Sequence, residues 1–182
     1  MAVRMFEDIL TFWFKEIDPQ QWWIADTAFD ELLRSRFLGF LHQAIAGDLY
    51  EWRSDARGRL AEIIVLDQFS RNIFRGAPQA FAQDPQALVL AQEAVSAGAL
   101  TVLSEGECAF LLMPFMHSES RTIHVRAEAL FKEFTPQSNY EFELRHKAII
   151  DRFGRYPQRN KILGRASSPE EIEFLKQRDS SQ

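Results

Sequence analysis

The amino-acid sequence places ionisable residues on the apolar faces of its predicted helices, and this placement constrains the fold more than any other feature. Within residues 60–75, at 100° per residue, Asp67 and Arg71 fall in the middle of an apolar face. A second segment, 140–153, repeats the pattern with His146 among apolar residues. Because burying an unpaired ion costs several kcal/mol, we expect one shared polar network inside the core. The apolar residues of the two faces are Leu60, Ile63, Ile64, Phe74, Phe142, Ile149, Ile150 and Phe153.

The composition is typical of one soluble domain with an aromatic core. The chain has 182 residues, of which 46% are hydrophobic and 26% are charged, and it contains 16 Phe and 4 Trp. This length suffices for one hydrophobic core, and the lone Cys108 excludes an internal disulfide and a cysteine-based zinc site. We predict a single domain over residues 1–182, with 178–182 as a flexible polar tail.

The charge balance argues against two classes of partner. A net charge of −5 is not that of a nucleic-acid or membrane-surface binder. Residues 121–165 nevertheless carry ten Lys/Arg against five Asp/Glu. This local positive charge would favour an anionic ligand, or it would form a surface that complements the acidic half of the chain. No apolar run reaches the ~18 residues needed to span a membrane, and the first residues lack the features of a signal peptide. We therefore expect a cytoplasmic protein that binds neither nucleic acid nor membranes.

Nearly every segment of the chain has helical periodicity, and the alternating pattern of a β-strand is absent from the sequence. The fold class is therefore predicted to be all-α, with seven or eight helices that pack as successive antiparallel pairs in one domain. The predicted helices span residues 5–16, 27–46, 56–75, 85–97, 105–113, 119–134, 139–153 and 169–177.

Capping and breaking residues set several predicted helix ends. Asp84 is placed as the N-cap of the fourth helix, followed by proline at the first helical position. Pro114 is expected to kink or end its helix, so that residues 115–119 lie at a break and Ser118 or Glu119 begins the next helix. Two capping boxes are predicted, at Ser104 with Glu107 and at Ser168 with Glu171.

Three long polar strings identify a family resemblance. They are DQFSRNIFRG at 67–76, MPFMHSES at 113–120 and HKAIIDRFGRYPQRNKILGR at 146–165. In this order and at these separations, the strings resemble the bacterial family of domain of unknown function 924. The resemblance covers essentially the whole chain and implies an all-helical, tetratricopeptide-like fold of stacked helix pairs, but no activity. The chain departs from the family at Ser70, where proline is common, and at Gln158, where histidine is common.

A partly buried polar pocket for a small anionic ligand is the leading functional interpretation of these strings. Arginines outnumber the acids within the same strings, which favours an anion, and an arginine cluster around Tyr156 could clamp a carboxylate or phosphate. No cofactor is predicted. The residues predicted to line the pocket are Asp67, Gln68, Arg71, Asn72, Arg75, His117, Glu119, His146, Arg152, Arg155 and Arg159.

Three other interpretations stay open from the sequence. The same charged groups would also serve as a structural network that ties helices together. The helix pairs would alternatively bind a protein segment, as tetratricopeptide-like folds do. In the third interpretation the protein is an enzyme, with His117 or His146 working with Glu119 or Asp67 as acid and base. A metal site from His117, Glu119, His146 and Asp67 has suitable ligand types without a recognised spacing, so no metal is predicted.

The remaining reactive side chains receive no catalytic role. Ser70 and Ser118 lie in no nucleophile elbow, and Cys108 lies in an apolar run typical of a buried side chain. His42 and His124 are expected to be ordinary solvated or partly buried side chains.

Overall fold

Every regular element in the computed structural model, which describes residues 5–179, is helical. The α-helices are α1 (Met5–Thr11), α2 (Thr27–Ala46), α3 (Ala56–Ile64), α4 (Ser70–Ile73), α5 (Asp84–Ser96), α6 (Glu105–His117), α7 (Arg121–Phe134), α8 (Gln137–Phe153) and α9 (Pro169–Asp179). Short 3-10 turns lie at Pro19–Trp22, Tyr50–Ser54, Pro78–Ala80, Ala99–Thr101 and Pro157–Arg159. The predicted all-α fold is confirmed, and none of the helices in the described range is long and apolar enough to cross a membrane.

Two π-helical turns extend the α-helices. Phe12–Glu16 follows α1 directly, and Val65–Phe69 joins α3 to α4. Residues 56–73 therefore form one continuous rod, called the central rod below. A π turn closes its hydrogen bonds over five residues instead of four, and such turns are frequent at functional sites. The second π turn contains Asp67.

Local capping sets the ends of several helices as the sequence predicts. Asp26 begins α2 by accepting hydrogen bonds from Ala28 N and Phe29 N at 2.9 and 3.3 Å. The chain leaves α2 at Gly47, whose φ of 81° is in the left-handed region that favours glycine. Both predicted capping boxes are present, at Ser104 with Glu107 and at Ser168 with Glu171.

The break predicted directly after Pro114 begins three residues later, at Ser118 instead of Phe115. Helix α6 passes through this proline and ends at His117, and Ser120 Oγ accepts from Ile123 N to begin α7. Proline removes one backbone donor from a helix, but residues 108–116 are all buried, so packing around α6 outweighs that loss. His117 is therefore the last helical residue of α6 rather than part of a loop.

Two further predictions about helix ends are also wrong. Asp84 does not cap α5, because Gln83 occupies the cap position and arginine side chains bind the Asp84 carboxylate. Residues 178–179, assigned to a flexible tail, belong to α9. The rest of that tail, 180–182, lies outside the described residues, as do residues 1–4 of the predicted domain.

The central rod is the middle of the hydrophobic core. Helices α1, α2, α5 and α6 pack against it, and residues 60–70 are buried without exception. The aromatic core expected from composition is present: the rings of Phe12, Phe37 and Phe69 have centroids 4.8, 5.1 and 6.4 Å apart. Helices α6, α7 and α8 then pack consecutively. This arrangement brings the end of α6 beside the π turn of the rod.

We predict that Gly58→Ala destabilises the protein. A Cβ at this position of α3 would lie 2.1 Å from Trp52 O, and a backbone atom cannot move aside as a flexible side chain can. The expected loss is about 1–3 kcal/mol of unfolding free energy, measured by denaturant titration. Gly39→Ala in α2 is the matched control, because its Cβ would meet nothing within 4 Å. That substitution should stabilise by about 0.5–1 kcal/mol, and equal effects at the two positions would contradict this packing.

Candidate functional site

Asp67 is a buried carboxylate that three side chains bind at once. It lies in the π turn of the central rod and is 1% exposed. Its Oδ1 accepts hydrogen bonds from Arg71 Nη1 at 3.0 Å and from His117 Nδ1 at 2.8 Å. Its Oδ2 accepts from Gln68 Nε2 at 2.8 Å. The prediction that Asp67 is buried and paired with a cation is confirmed.

Arg71 connects Asp67 to a second carboxylate. It donates to Asp84 Oδ1 at 2.8 Å and to Asp84 Oδ2 at 2.9 Å, a bidentate pair. Arg159 binds the same carboxylate, with Nη1 at 3.3 Å from Asp84 Oδ2, and its Nη2 donates to His117 O at 2.9 Å. Two carboxylates and two guanidiniums therefore neutralise one another within this network.

These contacts determine the protonation state of His117. Burial opposes ionisation of Asp67, but the charge of Arg71 and the contact with His117 outweigh it and lower the pKa of Asp67 to about 2. An ionised carboxylate only accepts hydrogen bonds, so Nδ1 of His117 carries the proton. Burial and the positive charge of Arg71 lower the pKa of His117, so its ring is neutral at pH 7. Nε2 of His117 consequently keeps a lone pair.

His146 is a second neutral imidazole in the same region. Its Nδ1 lies 2.8 Å from Phe142 O, a carbonyl that can only accept, so Nδ1 carries the proton. Burial lowers the pKa of His146 to about 4. The ring packs edge-on against Tyr156, with centroids 5.7 Å apart. In both histidines, Nε2 is the ring nitrogen left for a ligand.

Three cavities meet at His117. The main cavity has a volume of about 360 Å³, and its wall includes His117, His146 and Arg71. An inner chamber of about 280 Å³ shares these three residues and also contains Gln158, whose buried Oε1 has no hydrogen-bond partner among residues 5–179. A third cavity of about 350 Å³ includes His117 and Glu119. The rest of the main cavity wall is formed by Trp22, Trp23, Ile24, Gln68, Asn72, Arg75, Met113, Met116, Asn139, Phe142 and Arg178.

Only part of the predicted site assembles at the main cavity. Glu119 is held apart by Arg165, at 2.8 and 2.9 Å, and lines the third cavity. Arg152 and Arg155 form ion pairs with acids of α9 and are not in the main cavity wall. Arg159 binds Asp84 and the backbone carbonyl of His117, and it lines the other two cavities. The predicted residues that line the main cavity are Gln68, Arg71, Asn72, Arg75, His117 and His146, and Asp67 lies beneath them.

The wall of the main cavity restricts the chemistry available there. Its described residues include no Ser, Thr or Cys, so they offer no hydroxyl or thiol nucleophile from those residue types. Cys108 is buried, and burial raises the pKa of its thiol to about 11. Within residues 5–179, no group of three or more His, Cys, Asp and Glu side chains could hold a metal ion. The reactive groups of the cavity are therefore its two neutral imidazoles.

The expectation that His124 is solvated or partly buried is wrong, because the side chain is fully buried. His124 Nδ1 lies 2.7 Å from Glu143 Oε1, and its Nε2 lies 2.7 Å from Ser118 O. Burial raises the pKa of Glu143. The Tyr156 hydroxyl lies 3.2 Å from His124 Nε2 and also donates to Met116 O. A usable signal existed in the sequence, since His124 shares a helical face with the apolar residues Ala127, Leu130 and Phe131.

We predict that Asp67→Ala lowers the unfolding free energy by about 3–5 kcal/mol, because buried partners lose their acceptor. The loss should fall at the lower end, since Asp84 still neutralises Arg71. Glu16→Ala is the matched control: its pair with Arg36 is equally short, at 2.8 Å, but exposed. That change should cost less than about 1 kcal/mol. Denaturant titration of both variants measures the difference, and similar losses would argue against a buried network.

We predict that His146 makes the protein less stable as the pH falls from 6.5 towards 4. The pKa of His146 is lowered from 6.5 to about 4 in the fold, so the unfolded chain binds more protons than the folded one in this window. The unfolding free energy of the wild type should therefore decrease faster than that of His146→Gln. Titrations at several pH values measure this, with His42→Gln at an exposed position as the control. Parallel curves for wild type and His146→Gln would contradict the prediction.

Comparison with known proteins identifies the family. Residues 9–179 match the family described as bacterial protein of unknown function (DUF924). The solved structure of protein of unknown function ATU0120 from Agrobacterium tumefaciens is 35% identical, with a TM-score of 0.92, and the alignment covers 97% of this chain and 99% of that chain. No curated protein matches the sequence. The chain therefore belongs to the DUF924 family of bacterial proteins of unknown function.

Proposed function

We propose that this protein is an enzyme that binds a small molecule in the main cavity and uses His117 as its general base. One observation carries the proposal: His117 Nδ1 is held at 2.8 Å by the Asp67 carboxylate, while the same ring lines the main cavity. A carboxylate in this position orients the ring and stabilises the imidazolium that forms when Nε2 takes a proton. Of the acid–base pairs expected from the sequence, this pair has the geometry of a dyad, whereas Arg165 occupies Glu119.

The surrounding groups suit proton transfer on a small substrate. His146 supplies a second neutral imidazole in the same wall, which can accept a hydrogen bond from the substrate, while the proton that His117 takes up is returned by His117 itself. Because the described part of the wall has no Ser, Thr or Cys, His117 would act on the substrate or on a water molecule directly. Burial of His117 and the positive charge of Arg71 beside the dyad disfavour the imidazolium and lower the pKa of His117. A general base with a pKa near or below neutrality is free to accept protons at pH 7.

The size of the cavity favours a small molecule over a protein segment. Its volume of about 360 Å³ falls within the range of small-molecule sites. A tetratricopeptide-like scaffold would instead present a long groove to an extended peptide. Ligand binding without turnover is the minimal form of the present proposal, because it uses the same cavity and the same residues.

We predict that His117→Gln abolishes conversion of a metabolite that the wild type consumes. The amide of glutamine can still donate to Asp67, but it has no basic nitrogen, so the rate should fall about 100-fold or more. Wild type and variant are incubated with a bacterial metabolite extract, and mass spectrometry follows which compounds disappear.

His42→Gln is the control for this assay, because His42 is exposed and does not line the main cavity. It should leave the consumption unchanged. Consumption retained by a folded His117→Gln variant would refute the assignment of the base. An extract that the wild type leaves unchanged would speak against an enzyme.

A further inference from the structure

The described charges of the main cavity wall leave one cation unbalanced. Arg71 is neutralised by Asp67 and Asp84. Arg75 binds Asp30 in a bidentate pair at 2.5 and 2.9 Å. The two histidines of the wall are neutral at pH 7, for the reasons given above. Among the described side chains, the remaining cation of the wall, Arg178, has no ion-pair partner.

Arg178 lies where it can meet a ligand in the main cavity. It belongs to the last turn of α9, its side chain is exposed, and it lines the cavity together with Asn139 and His146 of α8. Arg178 is close enough to His146 to disfavour protonation of that ring, although burial is the larger cause of the lowered His146 pKa. A net charge of about +1 facing the cavity complements a singly charged anion better than a doubly charged one.

The same wall contains large apolar side chains that are exposed. Trp23, Ile24 and Phe142 are 56%, 52% and 43% exposed, and all three line the main cavity. The rings of Trp23 and Phe142 are nearly parallel, at 10°, with centroids 6.1 Å apart. Large aromatic side chains left in contact with water at a cavity indicate a site that covers them with a ligand. Phe110 stacks on Trp23 and Arg145 lies over the Phe142 ring, so a ligand ring meets the edges of this pair, in the edge-to-face geometry that aromatic groups favour.

We propose that the main cavity binds an aromatic monocarboxylate, with its carboxylate at Arg178 and Asn139 and its ring against Trp23 and Phe142. This inference rests on the proposed function in one respect only, that the main cavity is the substrate site. It names the substrate class, whereas the proposed function names the base. The carboxylate end lies on α8 and α9, and the dyad of Asp67 and His117 lies on the rod and α6, so the two groups can be tested separately.

Isothermal titration calorimetry with four probes tests the chemistry of the ligand. The probes are 3-phenylpropionate, the alcohol 3-phenylpropan-1-ol, the amine 3-phenylpropylamine, and butyrate, which lacks the ring. We expect 3-phenylpropionate to bind at least about tenfold more tightly than each of the others, because it alone has both a negative charge and the ring. Preferred binding of the amine or the alcohol would overturn the assignment of the anion, and equal binding of butyrate would overturn that of the aromatic surface.

Two variants locate the carboxylate. Arg178→Met keeps the length of the side chain without its charge and should weaken binding of 3-phenylpropionate about tenfold or more. Arg126→Met is the matched control, because Arg126 is exposed on α7 and does not line the main cavity. Unchanged affinity in Arg178→Met would overturn the role of this arginine.

His117→Gln separates this inference from the proposed function. It should lose the conversion activity and still bind 3-phenylpropionate more tightly than the alcohol or butyrate, because the carboxylate end on α8 and α9 is unchanged. If none of the probes binds while the conversion assay succeeds, the substrate class is wrong and the base stands. If binding follows the expected pattern while no metabolite is consumed, the ligand class stands and the enzyme does not.

Discussion

The hydrogen bonds to the buried carboxylate of Asp67 are the interaction on which the rest of the structure depends. It lies in the middle of an aromatic core, where an ion is stable only if every polar atom around it is satisfied. Arg71 and Gln68 satisfy it from the central rod, and His117 does so from the end of α6. The network therefore joins the rod to α6, and the consecutive packing of α6, α7 and α8 places the remaining helices relative to that contact.

The same network sets the chemistry of the candidate site. Because Asp67 is ionised and accepts from Nδ1, His117 has a defined tautomer, in which Nε2 carries no proton. Because Arg71 is close, the ring stays neutral at pH 7. The contacts of Asp67 with Arg71 and His117 thus stabilise the fold and also fix the state of the imidazole. A structural network and a functional site would use the same contacts here. This network differs from a purely structural one in that His117 and Arg71 also line a cavity.

The number of arginines in a motif does not determine the charge of the cavity beside it. The polar strings contain more arginines than acids, but the acids that neutralise them lie elsewhere in the chain. Asp30 pairs with Arg75, and Asp84 pairs with Arg71 and Arg159. The acids that pair with Arg152 and Arg155 are Glu170 and Glu171. The expectation of an anionic ligand consequently rests on Arg178, a residue that the sequence analysis had assigned to a tail.

Properties that depend on neighbouring residues could be predicted from the sequence by itself. The N-cap at Asp26 and the capping boxes involve contacts within about one helical turn. The local amino-acid sequence therefore determines them, as it determines helical periodicity. The burial of Asp67 followed in the same way, because its position on an apolar stripe is a local property. The order of the polar strings identified the family, and with it the all-α fold.

Tertiary structure decided what depends on residues far apart in the chain. Asp84 could have capped its own helix, but Arg71 and Arg159 provide stronger, charge-assisted hydrogen bonds to its carboxylate. Pro114 continues a helix because its neighbours are buried on all sides, which local propensity cannot reveal. The cavity itself exists where the central rod, α6, α8, α9 and the loop before α2 meet. Packing, and not spacing in the sequence, brings these segments together.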